Sequence, residues 1–198
     1  MEIRNASPTD ASQLAYLINL AGEGIPEYLW RGMVEAGESP LEVGARRAAR
    51  SEGGFSYTNA RVCVEHDEMF GMLLAYRQPD PFELGGIADY PEVVRPLVML
   101  EAQAPGSWYI NAVATFAQYR GRGVASRLIA DTESRAAAAY CDRVSLIVAS
   151  ENTAAIRLYE NLGYHAVDSA PVVPYPGCLH GGNWVLMVKR LAAGRSPA

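Results

Sequence analysis

The chain has 198 residues, 49% of them hydrophobic and 20% charged, the balance of an ordinary soluble globular protein able to bury a full core. A net charge of −5 provides no general basic surface and argues against nucleic-acid binding. No apolar run approaches the roughly eighteen residues of a membrane span, and Cys63, Cys141 and Cys178 lack the pairing of a disulfide framework or a zinc site.

The N-terminus, MEIRNASPTD, carries charge where a signal peptide needs an apolar core, so a cytoplasmic protein without metal is expected. An extended segment at 2–4 comes first. Ser7, Pro8, Thr9 and Asp10 supply helix-start chemistry ahead of Leu14, Leu17, Ile18 and Ala21 at helical spacing, and Gly22 and Gly24 stop that helix. A second helix is expected after Pro26 and a third after Pro40, with Leu41, Ala45, Ala48 and Ala49 on one face. Between Ala60 and Arg77 the period becomes that of a β-hairpin turning at His66, Asp67 and Glu68. "QPDPFELGG" reads as a loop, and 91–103 as a helix interrupted or kinked at Pro96.

"SWYINAVAT" at 107–115 is strand-like, and 124–140 is helical with Val124, Leu128, Thr132 and Ala136 on one face. "RVSLIVA" at 143–149 has the compact apolar character of a buried strand. Strand, helix and strand make a βαβ unit with parallel strands. Another helix starts at Asn152, a good N-cap, and ends before Gly163, a good C′ residue. Strands at 164–173 and 183–191 close the chain, the second alternating Trp184, Leu186 and Val188. These elements predict a single α/β domain over 1–191, a mixed central sheet flanked by helices, with 192–198 as a flexible tail.

"QYRGRGVASRL", from Gln118 to Leu128, sits between the first βαβ strand and its helix. Glycine at 121 and 123 lets main-chain N–H groups approach a ligand, and these amides lie at the positive end of a helix dipole. Arg120 and Arg122 add charges that can fork onto phosphate. A phosphate or diphosphate suits such a turn; a glycine-rich turn with two solvated arginines is the plainer alternative. A Walker loop needs Gly-Lys-Ser/Thr, which is missing. A dinucleotide fingerprint needs glycine where Ser126 stands, and Glu151 lies about 28 residues beyond Gly123 rather than about 20. Arg120, Gly123 and Ala125 do fill the acetyl-CoA turn, Arg/Gln-x-x-Gly-x-Gly/Ala. Downstream, Asn152 and Tyr159 stand two helical turns apart and project from nearly one face. Each also has a purely structural reading, a helix cap and a half-buried core residue.

"VATFAQYRGRGVASRLI" followed by "NTAAIRLYENLGY" resembles motifs A and B of the GNAT superfamily of N-acetyltransferases, from about Trp108 to Tyr164. The resemblance implies a single GNAT-like domain with a βαβ cofactor-binding core, acetyl-CoA as cosubstrate, and direct acetyl transfer to a primary amine in a ternary complex. It assigns the backbone of Val113, Ala114 and Thr115 to the pantetheine arm. The turn of Arg120, Gly121, Arg122, Gly123, Val124, Ala125 and Ser126 takes the diphosphate. Asn152 takes the pantetheine region, and Tyr159, the catalytic residue, stands near the sulfur. Ala117 departs from the proline of many members, which bears on loop stiffness.

No carboxylate lies on the 107–115 strand, so the general base is unread; Glu101, Glu65 and His180 are candidates, as is water held by Asn111 or Tyr109. Glu101 reads equally well as a solvated helix residue. Tyr28, Trp30, Tyr175 and His180 are candidate acceptor-pocket walls, and 78–106 is a candidate lid or homodimer contact. A small-molecule amine is the expected partner, with neither nucleic acid nor membrane. The alternatives are a protein lysine or N-terminal acetyltransferase, a non-catalytic acyl-CoA-binding module, and a nucleotide-binding regulatory protein.

Overall fold

Proline and hydroxyl side chains set the helix starts in the computed structural model, which describes residues 1–66 and 68–191. Asp67 of the expected hairpin turn and the expected tail at 192–198 lie outside the described residues. In chain order the elements are β1 (Glu2–Asn5), α1 (Ala11–Ala21), α2 (Ile25–Trp30), α3 (Pro40–Ala48), β2 (Ala60–Glu65), β3 (Glu68–Arg77), α4 (Arg95–Glu101), β4 (Trp108–Thr115), α5 (Val124–Ala138), β5 (Arg143–Ala149), α6 (Thr153–Asn161), β6 (His165–Pro171) and β7 (Asn183–Arg190). Ser39 and Glu42 form a reciprocal capping box on α3, with Pro40 in the first turn, where its missing N–H costs nothing.

The seven strands form one mixed sheet in the order β1-β2-β3-β4-β5-β7-β6. β4 and β5 run parallel, as the βαβ reading requires, while β1/β2, β2/β3, β5/β7 and β6/β7 are antiparallel. The last strand in sequence therefore inserts between β5 and β6.

The chain divides into two compact units. The first comprises Met1–Ala75, Asn111–Asp131 and Tyr175–Leu179. There α1, α2 and α3 pack on one another, and Leu14, Leu17, Val62, Met72, Leu73 and Leu128 are fully buried. Arg61 of β2 forks onto Asp131 of α5 at 3.0 and 3.3 Å, fixing the helix that begins at the glycine turn. The second unit comprises Tyr76–Ile110, Thr132–Pro174 and the described residues from His180 on. In it α4 packs against β5, β6 and β7, and Val144, Leu146, Leu186 and Met187 form the core.

Two expectations are corrected. Leu41 and Ala49 of the expected face are exposed, and Ala48, which is buried as that face requires, is joined by Val43 and Gly44. The reason is Trp30: a Cβ on Gly44 would stand 2.4 Å from its indole ring, so the ring lies directly on the helix backbone. Pro96 does not kink a long helix. It sits in the first turn of the short α4, where its missing N–H would have no intrahelical partner and proline is tolerated.

Candidate active site

The turn after β4 takes its shape from two glycines. Gly121 and Gly123 have φ of 76° and 77°, the left-handed region that ordinary side chains avoid, and a Cβ at either would meet nothing within 4 Å. Glycine is therefore needed here for backbone conformation, with open space beside it. Gly123 offers its carbonyl to the N–H of Arg127 at 3.1 Å and so caps α5. The amides from Gly123 to Ser126 are then the first-turn donors that no helix satisfies internally.

The two arginines of the turn differ. Arg122 lies 5.4 Å from the ring centroid of Tyr119 and 5.9 Å from that of Phe70, two rings stacked at 3.9 Å. The Tyr119 phenol donates to the Glu68 carboxylate, a bond that raises its pKa. Arg122 is thus held against an aromatic platform, whereas exposed Arg120 has no hydrogen-bond or carboxylate partner among the described residues.

β4 leads into this turn. Its ladder with β5 pairs Trp108–Ile110 with Val144–Leu146, and the strand continues to Thr115. Phe116 donates its N–H to the carbonyl of Phe70 on β3 at 3.0 Å. A Cβ on Gly71 would stand 2.6 Å from the Ala114 carbonyl oxygen and 3.1 Å from the Thr115 Cα. The Ala114 carbonyl is therefore turned towards β3, and strand alternation sends the N–H and C=O groups of Val113 and Thr115 the other way. Of the three residues expected to face pantetheine, Val113 and Thr115 present main-chain groups to the edge away from β3. Sequence reasoning missed Gly71, whose signal was a lone glycine inside an apolar strand.

In the second unit, α6 positions Asn152 and Tyr159. Asn152 accepts the Ala155 N–H at 3.2 Å through Oδ1, so the capping reading holds for that atom. At the other end, Gly163, with φ of 90°, donates to the Glu160 carbonyl, and Tyr164 donates to the Tyr159 carbonyl at 3.0 Å. This pair of bonds is the Schellman motif, completed by edge-on contact of the Tyr159 and Tyr164 rings at 6.0 Å. "YENLGY" thereby locks Tyr159 in place. Burial pushes the Tyr159 phenol up to about 12, and burial followed by the Glu133 carboxylate drives Tyr164 further up.

The remaining candidates separate clearly. Glu65 accepts from the Met1 ammonium at 2.8 Å, which lowers its pKa and suits it poorly to act as a base. His180 lies 3.6 Å from Glu151. Trp30 is core rather than pocket wall, at 2% exposure. Tyr28 and Tyr175 do come together within the first unit, at 5.7 Å between ring centroids, and Tyr175 donates to the Glu23 carbonyl at 2.8 Å. Glu101 is half-buried rather than fully solvated: burial pushes its carboxyl above the ordinary range, opposed by hydrogen bonds from Gln78 and Tyr109. Among the described residues no helix is long and apolar enough to cross a membrane.

Comparison with known proteins matches residues 27–164, well over half the chain, to the acetyltransferase (GNAT) family. An acetyltransferase of Sodalis glossinidius is 43% identical over 51 residues, 26% of this chain and 36% of its own length. N-alpha-acetyltransferase 30 of Saccharomyces cerevisiae is 36% identical over 56 residues, 28% of this chain and 32% of its own length. The chain thus spans about a third of the length of the curated relatives it matches. The fold resembles that of a Drosophila melanogaster polyamine N-acetyltransferase that forms N-acetylagmatine, with a TM-score of 0.69 at 15% identity, covering 96% of this chain and 99% of that one.

Proposed function

Because the chain belongs to the acetyltransferase (GNAT) family, we propose that it moves an acetyl group from acetyl-CoA to the primary amine of a small molecule, by direct attack within a ternary complex. The observation that carries this reading is the turn from Arg120 to Ser126, where two left-handed glycines lead into the first-turn amides of α5. These amides and the guanidinium of Arg120, which has no carboxylate partner among the described residues, bind the diphosphate. The outward main-chain groups of Val113 and Thr115 pair with the pantetheine arm as an added strand would. The amide nitrogen of Asn152, whose oxygen is occupied as the helix cap, donates to the pantetheine region.

Acetyl-CoA supplies the activated thioester. The amine must be neutral to attack, and the N–H groups turned away from β3 stabilise the oxyanion that forms. Tyr159 serves the departing sulfur. With its pKa pushed up to about 12, full proton transfer to a thiolate of pKa about 8.5 is uphill by roughly 5 kcal/mol. The phenol therefore works as a relay: it donates to sulfur while accepting a proton from the attacking nitrogen.

Acylation of a protein N-terminus is the second reading, favoured by the local similarity to N-alpha-acetyltransferase 30. Release of free CoA thiol from acetyl-CoA decides between the two, measured with agmatine, spermidine and other primary amines in parallel with peptides bearing free N-termini or lysines. Turnover with small amines is expected. Turnover with peptides alone supports the second reading, and CoA binding with no turnover of any acceptor leaves an acyl-CoA-binding module.

A further inference from the structure

Glu101 is the final residue of α4, half-buried, and burial of its carboxyl disfavours the charged form. Gln78, 5% exposed, donates Nε2 to Oε2 of Glu101 at 3.1 Å. Tyr109 of β4, 4% exposed, hydrogen-bonds to the same carboxyl and meets the ring of Tyr76 edge-on at 5.9 Å. Gln78 is itself anchored through its N–H to the Ser107 carbonyl at 2.8 Å. Burial, Gln78 and Tyr109 are the influences on Glu101's titration; β5, β6 and β7, on which α4 packs, carry Arg143, His165, Asp168, Lys189 and Arg190, and none of these is among them. Two neutral donors hold the carboxyl without neutralising it, and the C-terminal end of a helix is the wrong end for a negative charge. A glutamine could make similar bonds without that cost, so the placement points to proton chemistry rather than to stability alone.

We propose that Glu101 takes up the proton the acceptor ammonium must lose, through the Tyr109 phenol on β4. This rests on the proposed amine acetylation. An N–H proton passes to the Tyr109 oxygen as the Tyr109 proton passes to the Glu101 carboxylate, and the nitrogen keeps its electron pair. The neutral amine then forms the C–N bond, the C–S bond breaks with its pair on sulfur, and a second nitrogen proton ends on the thiol. Glu101 returns its proton to water. Ammonium and acetyl-CoA thus give acetamide, CoA thiol and one released proton. Because an ordinary carboxyl is too weak a base for an alkylammonium, a half-buried carboxyl of raised proton affinity suits the step better. Glu101 is a positioning residue in this scheme, acting through Tyr109.

The test compares wild type, Glu101→Gln and Tyr109→Phe, using the best alkylamine of the acceptor panel and 4-methoxyaniline, whose nitrogen is already neutral near pH 7. For the alkylamine, wild-type kcat/KM should rise with pH through a limb lying above the ordinary carboxylate range. Glu101→Gln should move that limb up to the ionisation of the free alkylammonium and lower kcat/KM near pH 7 by roughly a hundredfold. The arylamine rate and the KM for acetyl-CoA should change by less than about threefold. Tyr109→Phe should give the same acceptor-dependent pattern, which keeps the question open to measurement if Glu101→Gln folds poorly. Equal losses with both acceptors, or a limb that neither substitution moves, would overturn the assignment while leaving acetyl transfer intact. Failure of wild type to turn over any amine overturns the proposed function and this role with it.

Discussion

Tyr159 ties stability to the proposed chemistry in a single side chain. Its phenol is 8% exposed and, by burial, is pushed from 10.0 up to about 12. Because the neutral form is the one the fold prefers, this shift contributes about 3 kcal/mol that is fully present below pH 10 and lost as pH rises towards 12. Tyr159→Phe should therefore flatten the alkaline decline in unfolding free energy over that window, measured by denaturant titration. The same substitution should lower kcat about a hundredfold while leaving CoA affinity nearly unchanged. Unaltered turnover would remove the relay role. The residue types at 120–126, Asn152 and Tyr159 were legible in the sequence because each follows a local rule: left-handed turn, helix cap, helical spacing. The unequal surroundings of Arg120 and Arg122 were not, since the aromatic platform under Arg122 joins Phe70 and Tyr119 from distant parts of the chain.

At the scale of elements, β3 sets the position of the end of β4. A methyl group on Gly71 would press on the Ala114 carbonyl, which is backbone and cannot rotate away. Gly71→Ala should lower stability by about 1–3 kcal/mol and, by displacing Val113 and Thr115, weaken CoA binding measured by calorimetry. Unchanged CoA affinity would mean that the main chain of this strand does not contact the cofactor. Element types followed readily from periodicity and capping, with the bounds of β5 and the cap of α6 read correctly from local residues alone. Which face of α3 lies inward did not follow, because apolar identity favoured Leu41 while the shape of Trp30 required Gly44. Glu101 misled for a related reason: α4 has only seven residues, and its carboxyl is held by Gln78 and Tyr109, which come from outside the helix.

For the whole molecule, the parallel β4-α5-β5 unit and a mixed sheet were predictable from the alternation of strand and helix patterns. The insertion of β7 between β5 and β6 was not, because strand order depends on pairings remote in sequence. The central claim for the molecule as a whole is that the glycine turn binds a diphosphate. Calorimetric titration with coenzyme A and with pantetheine, which lacks the diphosphate, tests it in wild type and in the Gly121→Ala/Gly123→Ala double variant. Wild type should bind coenzyme A at least about a hundredfold more tightly than pantetheine, a gap of roughly 3 kcal/mol, and the double variant should lose most of that gap with pantetheine affinity unchanged. Equal affinities in wild type, or a gap that survives both alanines, would contradict the account.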